Sequence, residues 1–228
     1  MDWAHLPKGR TPCYNTHRLV GAHDMRPVIF TMNYSFREIG DDVTIYQPIV
    51  VIAPEKVVLK NHIIVSEFAY LAAGAGLYVG NFIHIATHTS ISGGGVCVLE
   101  DLVGVAAGTR IITGSEDING SGIPSPTVPA RYRSFYRSFV HCQAHSFLAT
   151  NVVVHPGVTI GEGTVVGSGG IVTKDLEPWG IYIGNPLRRI KERPRDKVLA
   201  LADELYREKN LLQSDFSDAI REAKGAAS

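Results

Sequence analysis

Aliphatic residues recur along the middle of the chain with a period of six. Stepping from Ile39 reaches Ile45 and Val51. Leu59 leads in the same way to Val65 and Leu71, Val79 to Ile85 and Ile91, and Leu99 to Val105 and Ile111. Each restart falls 20 residues after the last, which is three hexads plus two residues. A final register runs without insertions through Cys142, Leu148, Val154, Ile160, Val166 and Val172. Of these 18 positions, 17 hold Ile, Leu or Val and one holds Cys. The position four later is mostly small or β-branched, as at Ala69, Thr89, Thr109, Val152 and Thr164, with Glu55 an exception.

A helix repeats every 3.6 residues and a strand every 2.0, so neither produces a strict six. Glycines spread through the stretch would also break helices. The pattern predicts one short strand per hexad and three strands per triangular coil. The aliphatic side chain points inward and stacks on its counterpart about 4.8 Å away in the next coil. Gly40, Asp41, Gly80, Asn81, Gly161 and Gly163 mark bends, being residues that accept backbone angles others resist. The expected architecture is an all-β parallel β-helix of about six coils over residues 39–177, with a loop inserted at 117–141. Residues 1–38 show no period and are expected to cap the open edge of the first coil. Beyond Pro194, the residues Val198, Leu201, Leu205, Leu212, Phe216 and Ile220 recur at helical spacing up to Gly225. That spacing predicts a C-terminal α-helix in a tail over 192–228.

Composition narrows the function. Lys+Arg and Asp+Glu both number 22, so the formal net charge is zero. Nucleic-acid binders carry a basic stripe and membrane-surface proteins a polybasic segment, and neither is expected here. No run approaches the roughly 20 apolar residues of a membrane span, and residues 1–10 lack the apolar core of a signal peptide. A cytoplasmic location is expected. Cys13, Cys97 and Cys142 are widely spaced and odd in number, which fits no disulfide framework, redox motif or metal site. The inserted loop carries Arg131-Tyr132-Arg133-Ser134-Phe135-Tyr136-Arg137. Insertions of that length in a compact domain are usually functional. Arginines interleaved with aromatic rings suit a nucleotide diphosphate and its base. They suit equally an arm that packs on a neighbouring subunit with its arginines in solvent.

The run from Val154-His-Pro-Gly-Val-Thr-Ile-Gly to Val172-Thr-Lys-Asp-Leu176, followed by Gly184-Asn-Pro-Leu-Arg-Arg-Ile-Lys191, resembles the hexapeptide-repeat acyltransferases. That family includes the galactoside and maltose O-acetyltransferases and the nucleotide-sugar N-acetyltransferases. The resemblance covers about residues 39–191. It implies a left-handed β-helix, a homotrimer with each active site between two subunits, and acetyl-CoA as co-substrate lying along the coils, with no metal. Carried over by position, Thr150 and Ser168 line the pantetheine path and Thr173 and Lys174 lie near the coenzyme. Arg188 and Lys191 lie near its phosphates, a task suited to their charge. The galactoside-type enzymes place a catalytic His where this chain has Glu116. Where they carry a substrate-contacting Asn, this chain has His88. The resemblance therefore implies that His88 accepts the acceptor's proton and that Glu116 orients it or holds the acceptor. Asp117, Arg131, Arg133, Tyr136, Arg137, His141 and His145 are the expected acceptor contacts, whereas His155 reads as a surface residue.

The expected acceptor is the amino group of a nucleotide-linked sugar, as in bacterial surface polysaccharide synthesis, since a neutral amine needs less help from a base than a hydroxyl. Transfer to a sugar hydroxyl is the alternative. A γ-carbonic-anhydrase-like hydratase needs three converging imidazoles, but His84 and His88 fall at different places in their hexads. A β-helix scaffold without activity is the remaining reading.

Overall fold

The computed structural model describes residues 18–20 and 34–226. The hexads form short parallel strands that lie on three sheets, the faces of a triangular prism. On the first face Ile45, Val65, Ile85, Val105, Leu148 and Val166 stack in register. On the second, the stack is Val51, Leu71, Ile91, Ile111, Val154 and Val172. On the third, it is Ile39, Leu59, Val79, Leu99, Cys142 and Ile160. These are the inward positions read from the period of six. All are buried except Ile39, which is 41% exposed at the open edge of the first coil. The fold is a left-handed parallel β-helix of six complete coils. A seventh begins at Leu176 and the strand Gly180–Ile183 before Arg188–Glu192 turns back antiparallel.

The bends differ in chemistry from what the glycines suggest. The left-handed backbone angle at the corner between the first and second faces is carried by Phe68, His88, Gly108, Asn151 and Gly169. At the corner between the third and first faces it falls on Asp42, His62, Phe82, Leu102, His145, Gly163 and Trp179. Gly80 is needed for another reason. A Cβ there would lie 2.3 Å from Asp101 Oδ1, in the path of a polar ladder that climbs this corner. Asn61 N donates to Asn81 Oδ1 at 3.0 Å, and Asn81 N donates to Asp101 Oδ1 at 2.7 Å.

The tail is two helices, not one: α1 (Asp196–Lys209) and α2 (Ser217–Gly225), parted where Asn210 takes a left-handed angle. Leu201 and Leu212 stay exposed, while Ala202, Tyr206 and Phe216 are buried. The reason is where the tail docks. Tyr206 Oη donates to Asp101 Oδ2 at 2.5 Å, and Phe216 packs with Val58 and Val98 on the outside of the third face. The third face is thereby covered. The first and second faces keep exposed apolar side chains, among them Tyr46, Ile64 and Phe147, and Val50, Ile52 and Tyr70.

The insertion leaves the coil earlier than its composition suggests. Gly114–Glu116 and Phe135–Arg137 pair antiparallel as the two strands of an arm, and Phe139–Cys142 already belongs to the fifth coil. Of the expected N-terminal cap, Arg18–Val20 pairs in parallel with Val43–Tyr46 and extends the first face. Tyr34 Oη donates to the Ile49 carbonyl at 2.9 Å. The rest of that cap, and Cys13, lie outside the described residues. Cys97 and Cys142 are buried and unbridged, and burial pushes both thiols up, Cys142 to about 12. A thiol held protonated in this way is a packing group. Among the described residues no helix is long and apolar enough to cross a membrane.

Candidate active site

The corner between the second and third faces carries a cleft of about 470 Å³ beneath the arm. Its walls include Ser115, Glu116, Asp117 and Asn119 from the arm's outgoing side. Ser134, Phe135 and Tyr136 come from its return, and His155 and Pro156 from the bend one coil below.

Glu116 is half-buried and forms an ion pair with Arg133 across the arm. The pairing uses one oxygen. Glu116 Oε2 is buried without a partner, and so is Arg133 Nε. A buried carboxylate oxygen left without a donor is costly. Asp117 accepts from Asn119 N at 2.6 Å. Its carboxyl is held below the usual range, first by the Ser121 hydroxyl and then by the Asn119 amide. The interleaved arginines face their own rings. Arg131 lies 4.6 Å from the Tyr132 centroid, and Arg133 and Arg137 lie 5.4 and 5.5 Å from that of Phe135. The arm is thus an Arg–aromatic stack whose Tyr136 and Phe135 also wall the cleft.

The other expected site residues divide among the three corners. Thr173 and Lys174 lie on the cleft's corner, and the backbone amide of His155 donates to Val172 O at 2.9 Å, stacking His155 directly on Thr173. Thr150 and Ser168 lie instead on the corner between the first and second faces, together with His88. His88 is exposed there, its Nδ1 within 2.8 Å of Thr87 Oγ1 and its ring 5.1 Å from that of Phe68. His88 and Glu116 of one chain therefore do not meet. Arg188 and Lys191 project from the last strand of the first face, exposed and outside the ion pairs found among the described residues.

Two of the histidines expected at the acceptor are elsewhere. His141 points outward from the third face, buried near α2, with Nε2 2.6 Å from Glu100 Oε1. His145 sits at the third corner, its ring 6.2 Å from that of Trp179 beneath α1. Burial lowers its pKa, with Glu162 raising and Arg193 lowering it in turn. Both were placed near the insertion by sequence distance, but one hexad turns the chain by a third of a coil and takes them around the prism. His155, read as a surface residue, is the imidazole that lines the cleft. Its register with Thr173 was the available signal. Among the described residues no three His, Cys, Asp or Glu side chains converge as a metal-ligand set.

No family model matches the chain. Over 167 residues it is 26% identical to the dTDP-4-amino-4,6-dideoxy-D-glucose acyltransferase of Escherichia coli, which spans 73% of this chain and 86% of that protein. Its fold superposes with a TM-score of 0.72 on the N-acyltransferase AntD of Bacillus cereus, solved with dTDP-4-amino-4,6-dideoxyglucose and coenzyme A. The two are 28% identical, and the match covers 76% of this chain and 92% of AntD. AntD has also been solved with dTDP and 3-hydroxybutyryl-CoA. A shorter stretch of 59 residues is 42% identical to a chloramphenicol acetyltransferase of Klebsiella aerogenes, covering 26% of this chain and 28% of that enzyme. These relatives are acyltransferases, and AntD is solved with coenzyme A, in agreement with the acyltransferase resemblance at residues 154–191.

Proposed function

We propose that this chain, a hexapeptide-repeat acyltransferase by its relatives, moves an acyl group from a CoA thioester to the amino group of a dTDP-linked 4-amino-4,6-dideoxy sugar. The observation that carries the reading is the fold and sequence likeness to AntD over 76% of the chain. The cleft supports it. Glu116 lines the cleft with one carboxylate oxygen lacking a donor, Phe135 and Tyr136 offer rings to a nucleobase, and Arg131 and Arg137 carry charge on the arm beside it. Acetyl-CoA and 3-hydroxybutyryl-CoA are the two donors to compare. Thr173 and Lys174 on the cleft's corner, with Arg188 and Lys191 for the phosphates, form this chain's coenzyme contacts in this reading.

The reading also requires more than one copy. One corner holds Glu116, Thr173 and Lys174, and another holds His88, Thr150 and Ser168, so a complete site joins unlike corners of two neighbours. Uncovered apolar side chains on the first and second faces give such neighbours a surface to bury. A closed homotrimer satisfies both, and light scattering should return about three times 24.8 kDa. Nucleotide sugars and acyl-CoA are cytoplasmic metabolites, and the reaction is assigned to that compartment. Purified protein given either acyl-CoA and dTDP-4-amino-4,6-dideoxyglucose should release thiol at a rate that depends on both. Protein that binds CoA yet releases no thiol with this or any other nucleotide amino sugar would contradict the proposal.

A further inference from the structure

We infer that His155 takes the proton from the acceptor amine. This rests on the proposed acyl transfer and names the base that serves it. Of the side chains lining the cleft, four titrate: Glu116, Asp117, Tyr136 and His155. Glu116 is tied to Arg133, and Asp117 is tied to the amide of Asn119 and the hydroxyl of Ser121. The imidazole of His155 has no hydrogen-bonded, ion-paired or stacked side-chain partner among the described residues.

Position adds the second support. His155 lies one coil below the insertion that bears Glu116 and stacks on Thr173 one coil further down. Adjacent strands are about 4.8 Å apart. An acceptor held at Glu116 and a thioester running past Thr173 would therefore meet at the level of His155. The other imidazoles are poorly placed. His141 lies near α2 on Glu100, His145 lies beneath α1, and the Nδ1 of His88 is engaged by Thr87.

The step balances without an added reactant. The amine nitrogen bonds to the thioester carbonyl carbon and gives its proton to His155. As the carbon–sulfur bond breaks, the imidazolium returns that proton to the departing thiolate, leaving amide and free thiol.

The test compares parent and His155→Ala by thiol release, with CoA binding measured by calorimetry. General-base assistance is worth roughly 10² to 10⁴ in rate. His155→Ala should lose kcat within that range, keep CoA affinity and acceptor KM within about threefold, and recover activity when imidazole is added to the buffer. A residue that merely shapes the bend would not be rescued by free imidazole. Full activity in His155→Ala, or a loss without rescue, overturns the assignment while leaving the acyl transfer intact. A parent protein that binds CoA but releases no thiol with any amino sugar overturns the functional reading itself, and the assignment with it.

Discussion

Replacing Asp101 with Asn should free the C-terminal tail while leaving the β-helix folded. The Asp101 carboxylate is buried and receives four hydrogen bonds. Oδ1 accepts from Asn81 N at 2.7 Å. Oδ2 accepts from Asn81 Nδ2 at 3.2 Å, Ser214 N at 2.9 Å and Tyr206 Oη at 2.5 Å. An Asn side chain can keep one oxygen facing Asn81 N, but it then presents an NH₂ to three donors. The Tyr206 hydroxyl can rotate to accept. The Ser214 amide and Asn81 Nδ2 cannot, so two bonds to a charged group are lost. At about 1.5–3 kcal/mol each, the cost is roughly 3–6 kcal/mol. Ser214 belongs to the tail, and Asn81 Nδ2 also donates to Leu212 O and Ser214 Oγ there, so much of the loss falls on the tail's docking. Hydrogen exchange read peptide by peptide should show residues 196–225 gaining exchange by several orders of magnitude, with the strands through Ile111, Val154 and Val172 unchanged. Tail amides as protected as in the parent would refute the reasoning.

Lys174→Ala and Arg188→Ala should each raise the apparent KM for acyl-CoA more than they lower kcat, since a charge-assisted contact is worth about 1.5–3 kcal/mol. Steady-state kinetics against acyl-CoA checks this, and unchanged KM in both would remove these residues from the coenzyme site. Acidification should weaken the fold through His145. Burial lowers its folded pKa, so the unfolded chain binds the proton more readily. The stabilisation is full above the unfolded value near 6.5 and is lost as pH falls below it. Thermal melts between pH 7.5 and 5.5 should show a fall that His145→Gln flattens; identical slopes would exclude the effect. Leu148→Ala, which empties a fully buried place in the first-face stack, should cost about 2–5 kcal/mol by denaturant unfolding.

The inward stacks were legible because a period of six imposes them. One inward side chain per hexad, repeated over 18 positions, leaves no other register for the coils. The bends were legible in place but not in cause. Gly80 marks a close approach to Asp101, while the left-handed angle beside it falls on Phe82. The arm's boundaries were hidden because Gly114–Glu116 continues a hexad in sequence while turning out of the coil in space. The break between α1 and α2 was hidden because helical spacing of apolar residues runs on across Asn210. The corner on which each candidate site residue falls was not legible. His141 and His145 flank the arm in the chain, yet face the third sheet and the third corner, whereas Thr173, two coils below the arm, shares its corner. Covering of the third face by the tail depends on long-range partners such as Asp101 and Tyr206, 105 residues apart, which no local pattern reveals.

The central claim is that the acyl group ends on nitrogen. Mass spectrometry of the product formed from dTDP-4-amino-4,6-dideoxyglucose and acetyl-CoA or 3-hydroxybutyryl-CoA tests it most directly. The account predicts one added acyl group that survives mild alkali, as an amide does, and no product from the matching dTDP-sugar that carries hydroxyl in place of amine. An acyl group released by mild alkali, or equal turnover of the hydroxyl sugar, would contradict it and make the protein an O-acyltransferase.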